Sequence, residues 1–478
     1  MATTADVASA PVAATTVGRV RWTIVGMIFL ITIVNYADRA TMSVAKPGLS
    51  QDLGLNAAQM GWILSAFGWS YVICQIPGGW LLDRFGSKMV YFGSIFLWSI
   101  FTLLQGGAAV FGAVAAVYVL FILRLFVGAA ESPSFPGNAR LVAAWFPANE
   151  RGTASAIFNS AQYFATVLFG PIMGALALHF GWPYVFYFMG GLGILISFVW
   201  LKVIYSPKDH PRLSPEELDY IERGGALVNM DQPKKEKRIT RAELELDSVE
   251  RGGLRTMNAR AEDKGTPVEW GYIGQLLSNR MMIGVYLGQF CINCLTVFFA
   301  TWFIPYLVEQ RGLSILNAGF VASVPAICGF VGGVLGGVIS DAMLRKGYSI
   351  TAARKTPIVG GMLLATSLII CNYVDAYWLV ILVIALSFFG KGIGALGWTV
   401  VSDTSPREIA GVSGGLFNTF GNLSTITTPI IIGYIIQWTG SYNWALVFVG
   451  ANAVLAVLSY LVLVGEIKRV ELKKEAAA

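Results

Sequence analysis

Gly79-Trp80-Leu81-Leu82-Asp83-Arg84-Phe85-Gly86-Ser87-Lys88 closes one long apolar run and opens the next. Its frame returns 258 residues later as Gly337-Val338-Ile339-Ser340-Asp341, with Arg345 and Lys346 behind it. The same offset carries Glu150-Arg151-Gly152 onto Glu408-Ile409-Ala410, and Asn159 and Asn418 close the matching stretches one residue out of step. Two motifs on one offset predict two related halves that rock about a shared midplane site. In each motif the glycines are expected to allow close helix approach. The acid is expected to accept hydrogen bonds from a helix N-terminus or from an arginine in a facing loop, latching one conformer.

Outward from this motif the chain is lipid-like. Its 478 residues are 55% hydrophobic and 13% charged, where soluble domains carry about 25% charged residues. Mean hydropathy is +0.63. A spanning helix needs about 20 mostly apolar residues, and twelve segments qualify: 22–44, 58–82, 89–109, 113–136, 152–176, 183–204, 281–305, 316–340, 356–374, 377–400, 408–437 and 443–465. The 53 glycines fit helices that pack closely in lipid. Basic residues gather in alternate loops: Arg19, Arg21, Arg84, Lys88, Arg140, Arg151, Arg345, Lys346, Arg354, Lys355, Arg407, Lys468, Arg469, Lys473 and Lys474. The opposite loops hold Lys46, Asp52, His179, Glu309, Arg311 and Asp375. This asymmetry places both termini in the cytoplasm and accounts for the net charge of +6 without nucleic acid.

The expected organisation is an N-terminal cytoplasmic tail 1–20, a six-helix bundle 21–205, a cytoplasmic linker 206–280, a second six-helix bundle 281–466 and a C-terminal tail 467–478. The Ala/Thr/Val-rich stretch 1–18 reads as a disordered tail without a cleavable signal. In the linker, Ser214-Pro215-Glu216-Glu217 is a capping box with proline at the first helical position. The run Lys234, Lys235, Lys237, Arg238 and Arg241 reads as a solvated tether, with anionic lipid binding as the alternative. No function attaches to 239–265.

Several chemistries are excluded. No G-x-x-x-x-G-K-[ST] is present, so nucleotide-driven pumping is not expected. Two histidines, both outside the spans, leave no zinc-ligand spacing and no serine–histidine pair. Cys291 and Cys294 form a C-x-x-C, but inside an apolar helix they read as small buried hydrophobes.

Five charges interrupt the apolar spans: Asp38, Arg39, Arg124, Glu131 and Lys391. A charge at the bilayer centre costs about 2.5 kcal/mol or more, so such residues face a bundle interior or an aqueous path. Asp38 and Glu131 are candidate proton carriers. The planar fork of Arg39 suits a carboxylate, with a structural ion pair as the alternative. Arg124 and Glu131 lie seven apart on one stripe, and Ser132-Pro133-Ser134-Phe135-Pro136 is expected to break the helix after the acid. Lys391, flanked by Gly390 and Gly392, reads as an anion contact or as a snorkelling cation. Tyr71, Gln75, Gln162, Gln289, Asn293, Asn418 and Asn422 supply hydroxyl and amide groups for a polyhydroxylated ligand, and Trp398 a wall. Interhelical hydrogen bonding is the alternative for each amide.

The chain resembles the major facilitator superfamily, whose cytoplasmic loop signature the Gly79–Lys88 motif and its echo match. More narrowly it resembles the anion:cation symporter branch that takes up sugar acids with protons. The likeness runs from about residue 20 to 472. It rests on Asn35-Tyr-Ala-Asp-Arg-Ala-Thr, Gln75 through Lys88, Glu131-Ser-Pro-Ser-Phe-Pro-Gly-Asn, Ala144-Trp-Phe-Pro, Asn159-Ser-Ala-Gln-Tyr-Phe-Ala-Thr, Gly288-Gln-Phe-Cys-Ile-Asn, Arg354-Lys-Thr-Pro-Ile-Val and Phe389-Gly-Lys-Gly-Ile-Gly-Ala-Leu-Gly-Trp. The stretch 239–265 is longer than that branch's usual linker.

The resemblance implies a non-enzymatic, monomeric carrier of the bacterial inner membrane, without cofactor, with protons as coupling ion and a small organic anion as cargo. It implies proton transfer at Asp38 and Glu131, with Arg124 as partner of Glu131. It places Tyr36 and Arg39 at the substrate carboxylate and Tyr71, Gln162, Gln289, Trp398 and Asn418 around the hydroxyls. Lys391 replaces a neutral side chain of aldonate carriers, which implies a dicarboxylate of glucarate or galactarate type. Gly79, Asp83, Arg84, Gly86, Lys88 and Asp341 form the gating motif. A symporter for an aldonate or hexuronate, a channel, and a membrane sensor that binds such anions without moving them are the alternatives.

Overall fold

A computed structural model describes residues 18–147, 150–231, 270–406 and 409–472. The first 17 residues, the Lys234–Arg241 run, the stretch 239–265, Arg407, Glu408, Lys473 and Lys474 lie outside the described residues. The regular structure is helical throughout these residues. In the first half α1 spans Val20–Leu53, α2 Ala57–Phe85, α3 Ser87–Gln105, α4 Ala113–Glu131, α5 Ser134–Trp145, α6 Arg151–Phe180 and α7 Trp182–Val203. A short α8, Pro215–Arg223, follows. The second half holds α9 Trp270–Ser278, α10 Arg280–Thr301, α11 Ile315–Arg345, α12 Ile350–Ala365, α13 Tyr377–Ile393, α14 Gly397–Thr404, α15 Ala410–Thr439 and α16 Asn443–Leu458.

Eleven helical segments among the described residues are long and apolar enough to cross a membrane. The segment expected as the second span is α2, whose 29 residues exceed the necessary length. Gln59, Ser65, Ser70, Tyr71 and Gln75 dilute its apolarity. Large apolar side chains such as Ile73, Ile76, Val114, Leu195 and Trp378 stand on the outer surface, as lipid-facing positions require.

The expected break after Glu131 is present: α4 ends there and α5 restarts at Ser134. The span does not end near 136, because the jog is under one turn and the apolar stretch continues to Trp145. Gly394 to Leu396 make a similar jog between α13 and α14. Gly86, at φ +80°, turns α2 into α3 in a conformation that favours glycine.

Close approach falls one residue from where the motif predicts it. Gly79 and Gly337 face open space. A Cβ on Gly78 would lie 3.0 Å from Ser132 Oγ, and one on Gly336 would lie 2.9 Å from Ile393 Cα. Between the halves, helices meet backbone to backbone at the end remote from the basic loops. There a Cβ on Gly61 would lie 2.6 Å from the Pro429 carbonyl oxygen, one on Gly433 2.6 Å from that of Ala57, and one on Gly174 2.9 Å from that of Ile315. Such helix–backbone contact is what small residues permit in lipid.

The linker's first part is not a loose tether. Ser214 Oγ accepts from Glu217 N at 3.2 Å, the first half of the expected capping box, but the Glu217 carboxylate does not return to Ser214 N. Glu217 is fully buried and reaches 197 residues back, accepting from the backbone N–H groups of Val20 and Arg21 at 3.0 and 3.2 Å. It therefore caps α1, where free N–H groups and the helix dipole favour an anion. Arg21 donates to Glu217 at 3.0 Å and to Glu150 at 2.8 Å, and Tyr220 donates to Glu150 at 2.9 Å. These bonds, the Arg21 hydrogen bond first, hold the Glu150 carboxyl below its usual range. A depressed folded-state value adds stability above the unfolded value of 4.5, and that stability is lost as pH falls through the folded value. Glu150→Gln is therefore expected to lower the melting temperature of detergent-solubilised protein at pH 7. The deficit should shrink as the pH drops below about 4.5, which a melting series from pH 7 to 3 measures.

Candidate transport site

Asp38 and Arg39 lie mid-way along α1, and Glu131 sits at the last residue of α4 just before the jog. The fold brings them together. Arg39 presents Nε and Nη2 to one oxygen of Glu131, Oε1, in a side-on ion pair. Glu131 is fully buried, and its second oxygen, Oε2, has no hydrogen-bond partner. The guanidinium is boxed by aromatic faces. Its Cζ lies 5.0 Å from the ring centre of Tyr36 and 4.9 Å from those of Phe67 and Tyr71, within cation–π range. Tyr71 stacks on Phe67 at 5.2 Å.

Asp38 is 2% exposed and accepts from Thr102 Oγ1 at 2.7 Å. It does not pair with its neighbour Arg39, since consecutive helix residues diverge by about 100°.

The expectation that Arg124 partners Glu131 is corrected. Arg39 occupies that carboxylate, while the buried Arg124 leaves Nε and Nη1 without hydrogen-bond partners and sits 5.5 Å from the Phe67 ring centre. Seven residues place Arg124 and Glu131 on one stripe but about 10 Å apart along the axis. A residue on another helix is the nearer partner.

The uncharged candidates divide. Asn418 Nδ2 donates to Gln75 Oε1 at 3.1 Å, joining α15 to α2 across the halves, and Asn422 donates to Asn418 Oδ1 at 3.1 Å. Gln75 Nε2 is buried without a partner. Asn293 spends its amide N–H groups on Gly421 O at 2.8 Å and Ser424 Oγ at 3.1 Å, knitting α10 to α15. Gln289 fills the space between Gly397 and Gly421, 3.0 Å from where a Cβ on Gly421 would stand. Gln162 donates to its own helix, at Asn159 O, 3.2 Å away. Trp398 is half exposed and edge-on to Phe417 at 4.9 Å. Lys391 is 6% exposed, not snorkelled, with Nζ 5.8 Å from the Phe388 ring centre. Gly392 beside it lets α13 meet α11, where its Cβ would lie 2.8 Å from Gly333 N.

At the loop motif, Asp83 pairs with Arg140. Arg140 belongs to α5 of the same half rather than to a facing loop, and it also bonds Asp231 at 3.1 Å and the Met230 carbonyl at 3.2 Å. Arg84 lies 5.2 Å from the Trp80 ring centre and Lys88 3.4 Å from that of Tyr205. The echo is built differently: Asp341 meets Arg354 at 3.6 Å, and Arg354 bonds Asp403 at 2.8 Å and Ser340 at 2.7 Å.

Three site residues escape a sequence reading. Phe67 is one of 29 phenylalanines and carries no local signal. Thr102 offered one, as a lone hydroxyl in the apolar run 100–104. Lys46, expected in a loop, is 4% exposed inside α1, because the helix continues through Pro47 to Leu53.

The family model of the Major Facilitator Superfamily matches residues 28–353. The chain is 59% identical over 456 residues to the probable galactarate/D-glucarate transporter GudP of Bacillus subtilis (strain 168), covering 95% of this chain and 94% of that protein. It is also 59% identical to the protein of that name from Escherichia coli (strain K12), covering 95% and 96%. The crystal structure of a D-xylose-proton symporter superposes with a TM-score of 0.64 at 16% identity, covering 94% of this chain and 99% of that one.

Proposed function

The chain belongs to the major facilitator superfamily, and on that premise we propose that it carries a sugar-acid dianion of galactarate or glucarate type into the cell with protons. It is a multi-pass protein of the bacterial inner membrane. In this reading α2 completes twelve spans and both termini are cytoplasmic. Residues 21–205 and 281–466 form the rocking halves, 206–280 links them, and the monomer works without a cofactor.

The buried Arg39–Glu131 pair carries the proposal. Arg39 can hold Glu131 or a cargo carboxylate, but not both at full strength. A proton on Glu131 weakens the internal pair and frees the guanidinium. Cargo binding and protonation thus favour each other, which is the linkage a symporter needs. Asp38 is the second proton site, close to Thr102 on α3. Arg124, buried with two unpartnered N–H groups, adds positive potential to the same interior. Tyr36 joins Arg39 at the cargo carboxylate, and Tyr71, Gln75, Gln162, Gln289, Asn293, Trp398, Asn418 and Asn422 surround the hydroxylated backbone of the cargo. More than one proton per dianion keeps the net charge moved from being negative. Two protons per dianion make the step electroneutral, and each proton beyond the second gains about 2.3 kcal/mol per 100 mV. Uptake of labelled glucarate into proteoliposomes, with and without an imposed proton gradient, tests the proposal. Uptake indifferent to the gradient removes the coupling.

Lys391 is assigned the second carboxylate. No acidic side chain pairs with it among the described residues, so a cargo carboxylate would give this buried cation its counter-ion. A site with two cations rejects a monocarboxylate because one charge is left unpaired. Lys391→Asn is expected to cut the preference for glucarate over galactonate about tenfold or more, read as the ratio of kcat/KM values. An unchanged ratio removes the assignment.

A further inference from the structure

We infer that Lys46, Glu309 and Tyr442 form the periplasmic gate of the transport path, an inference that rests on the carrier reading above. Lys46 lies seven residues beyond Arg39 on α1, so both stand on one stripe, about 10 Å apart along the axis. Cargo moving from the periplasm to Arg39 must pass it. Lys46 Nζ donates to both oxygens of Glu309, at 2.5 and 2.6 Å, and to the Tyr442 hydroxyl at 3.2 Å. Tyr442 in turn donates to Glu309 at 2.7 Å. The ammonium also sits 5.1 Å from the Trp302 ring centre. Lys46 Nζ, the Glu309 carboxylate and the Tyr442 hydroxyl thus satisfy one another, with the lysine buried and the Glu309 side chain 32% exposed.

The contacts join the halves. Lys46 belongs to the first, while Glu309 and Tyr442 belong to the second. Glu309 stands in a π-helical turn, Tyr306–Gln310, an irregularity common at functional positions. Arg311 braces that turn through the Tyr306 hydroxyl at 2.8 Å and ties it to the rest of the second half through the Val374 carbonyl at 3.1 Å. Glu309 therefore moves with the second half when it rocks away from α1. The glycine contacts at Gly61, Gly174 and Gly433 close the same end, so this structure has its periplasmic side shut with the gate made.

The test uses Ser43→Cys, with the five native cysteines replaced by alanine, labelled from outside by a membrane-impermeant maleimide. Ser43 is 1% exposed and lies one turn below Lys46. We expect Glu309→Gln and Lys46→Ala each to speed labelling about tenfold or more, and the exchanged pair Lys46→Glu with Glu309→Lys to restore slow labelling. The inference is overturned if both single variants label at the parental rate. It is also overturned if the exchanged pair behaves like the singles, or if labelling of a control Ser197→Cys, at a fully buried position, speeds up equally through loss of structure. Labelling needs no cargo, so failure here leaves the carrier reading to stand or fall by proteoliposome uptake.

Discussion

Glu131→Gln is expected to abolish proton-driven accumulation while counterflow exchange of the same anion continues. Glutamine imitates the protonated acid, so Arg39 is permanently released from its internal partner. Loaded carrier is unaffected, because the cargo carboxylate pairs the guanidinium. Empty carrier is not: it must return with an unpaired cation through a closed seam. Breaking a buried pair costs about 3–5 kcal/mol, and each 1.4 kcal/mol is a factor of about ten. Net uptake should therefore fall at least a hundredfold or so, with exchange kept within a few-fold. The ratio of counterflow to gradient-driven uptake in proteoliposomes measures this. A variant that still concentrates the anion would refute the coupling role of Glu131.

Arg39→Ala should lose both modes of transport. The guanidinium would be the first contact of the cargo carboxylate and the counter-ion of Glu131. Its removal is expected to lower kcat/KM more than about a hundredfold. The fold survives because the stranded Glu131 takes a proton. Arg39→Lys discriminates geometry from charge. A lysine keeps the charge but offers neither a two-nitrogen edge nor a flat face for Tyr36, Phe67 and Tyr71. It should fail nearly as badly in both uptake and counterflow. An Arg39→Lys carrier with KM within about threefold of the parent would show that charge alone suffices and that the aromatic box is incidental.

Much of this arrangement is legible in the amino-acid sequence. The five charges in apolar spans mark a protected interior, since lipid does not tolerate them, and all five are buried or nearly so. Helix breaks at Ser132-Pro133 and the cap at Ser214 follow from local chemistry. The paired Gly/Asp motifs announce the duplication. Partner choice is another matter. Seven-residue spacing joined Arg124 to Glu131 because periodicity reports a shared helix face and not which neighbouring helix turns toward it.

Apolar span length, loop charge and the identity of the buried ions are thus properties of the chain, because hydrophobic length and the expense of burying charge act locally. Tertiary packing alone set Arg39 on Glu131 across 92 positions and Lys46 on Glu309 across 263. It also folded Glu217 back onto the start of α1. These pairings depend on the rotation and tilt at which helices meet, and glycines such as Gly61, Gly78 and Gly433 fix those by letting backbones touch.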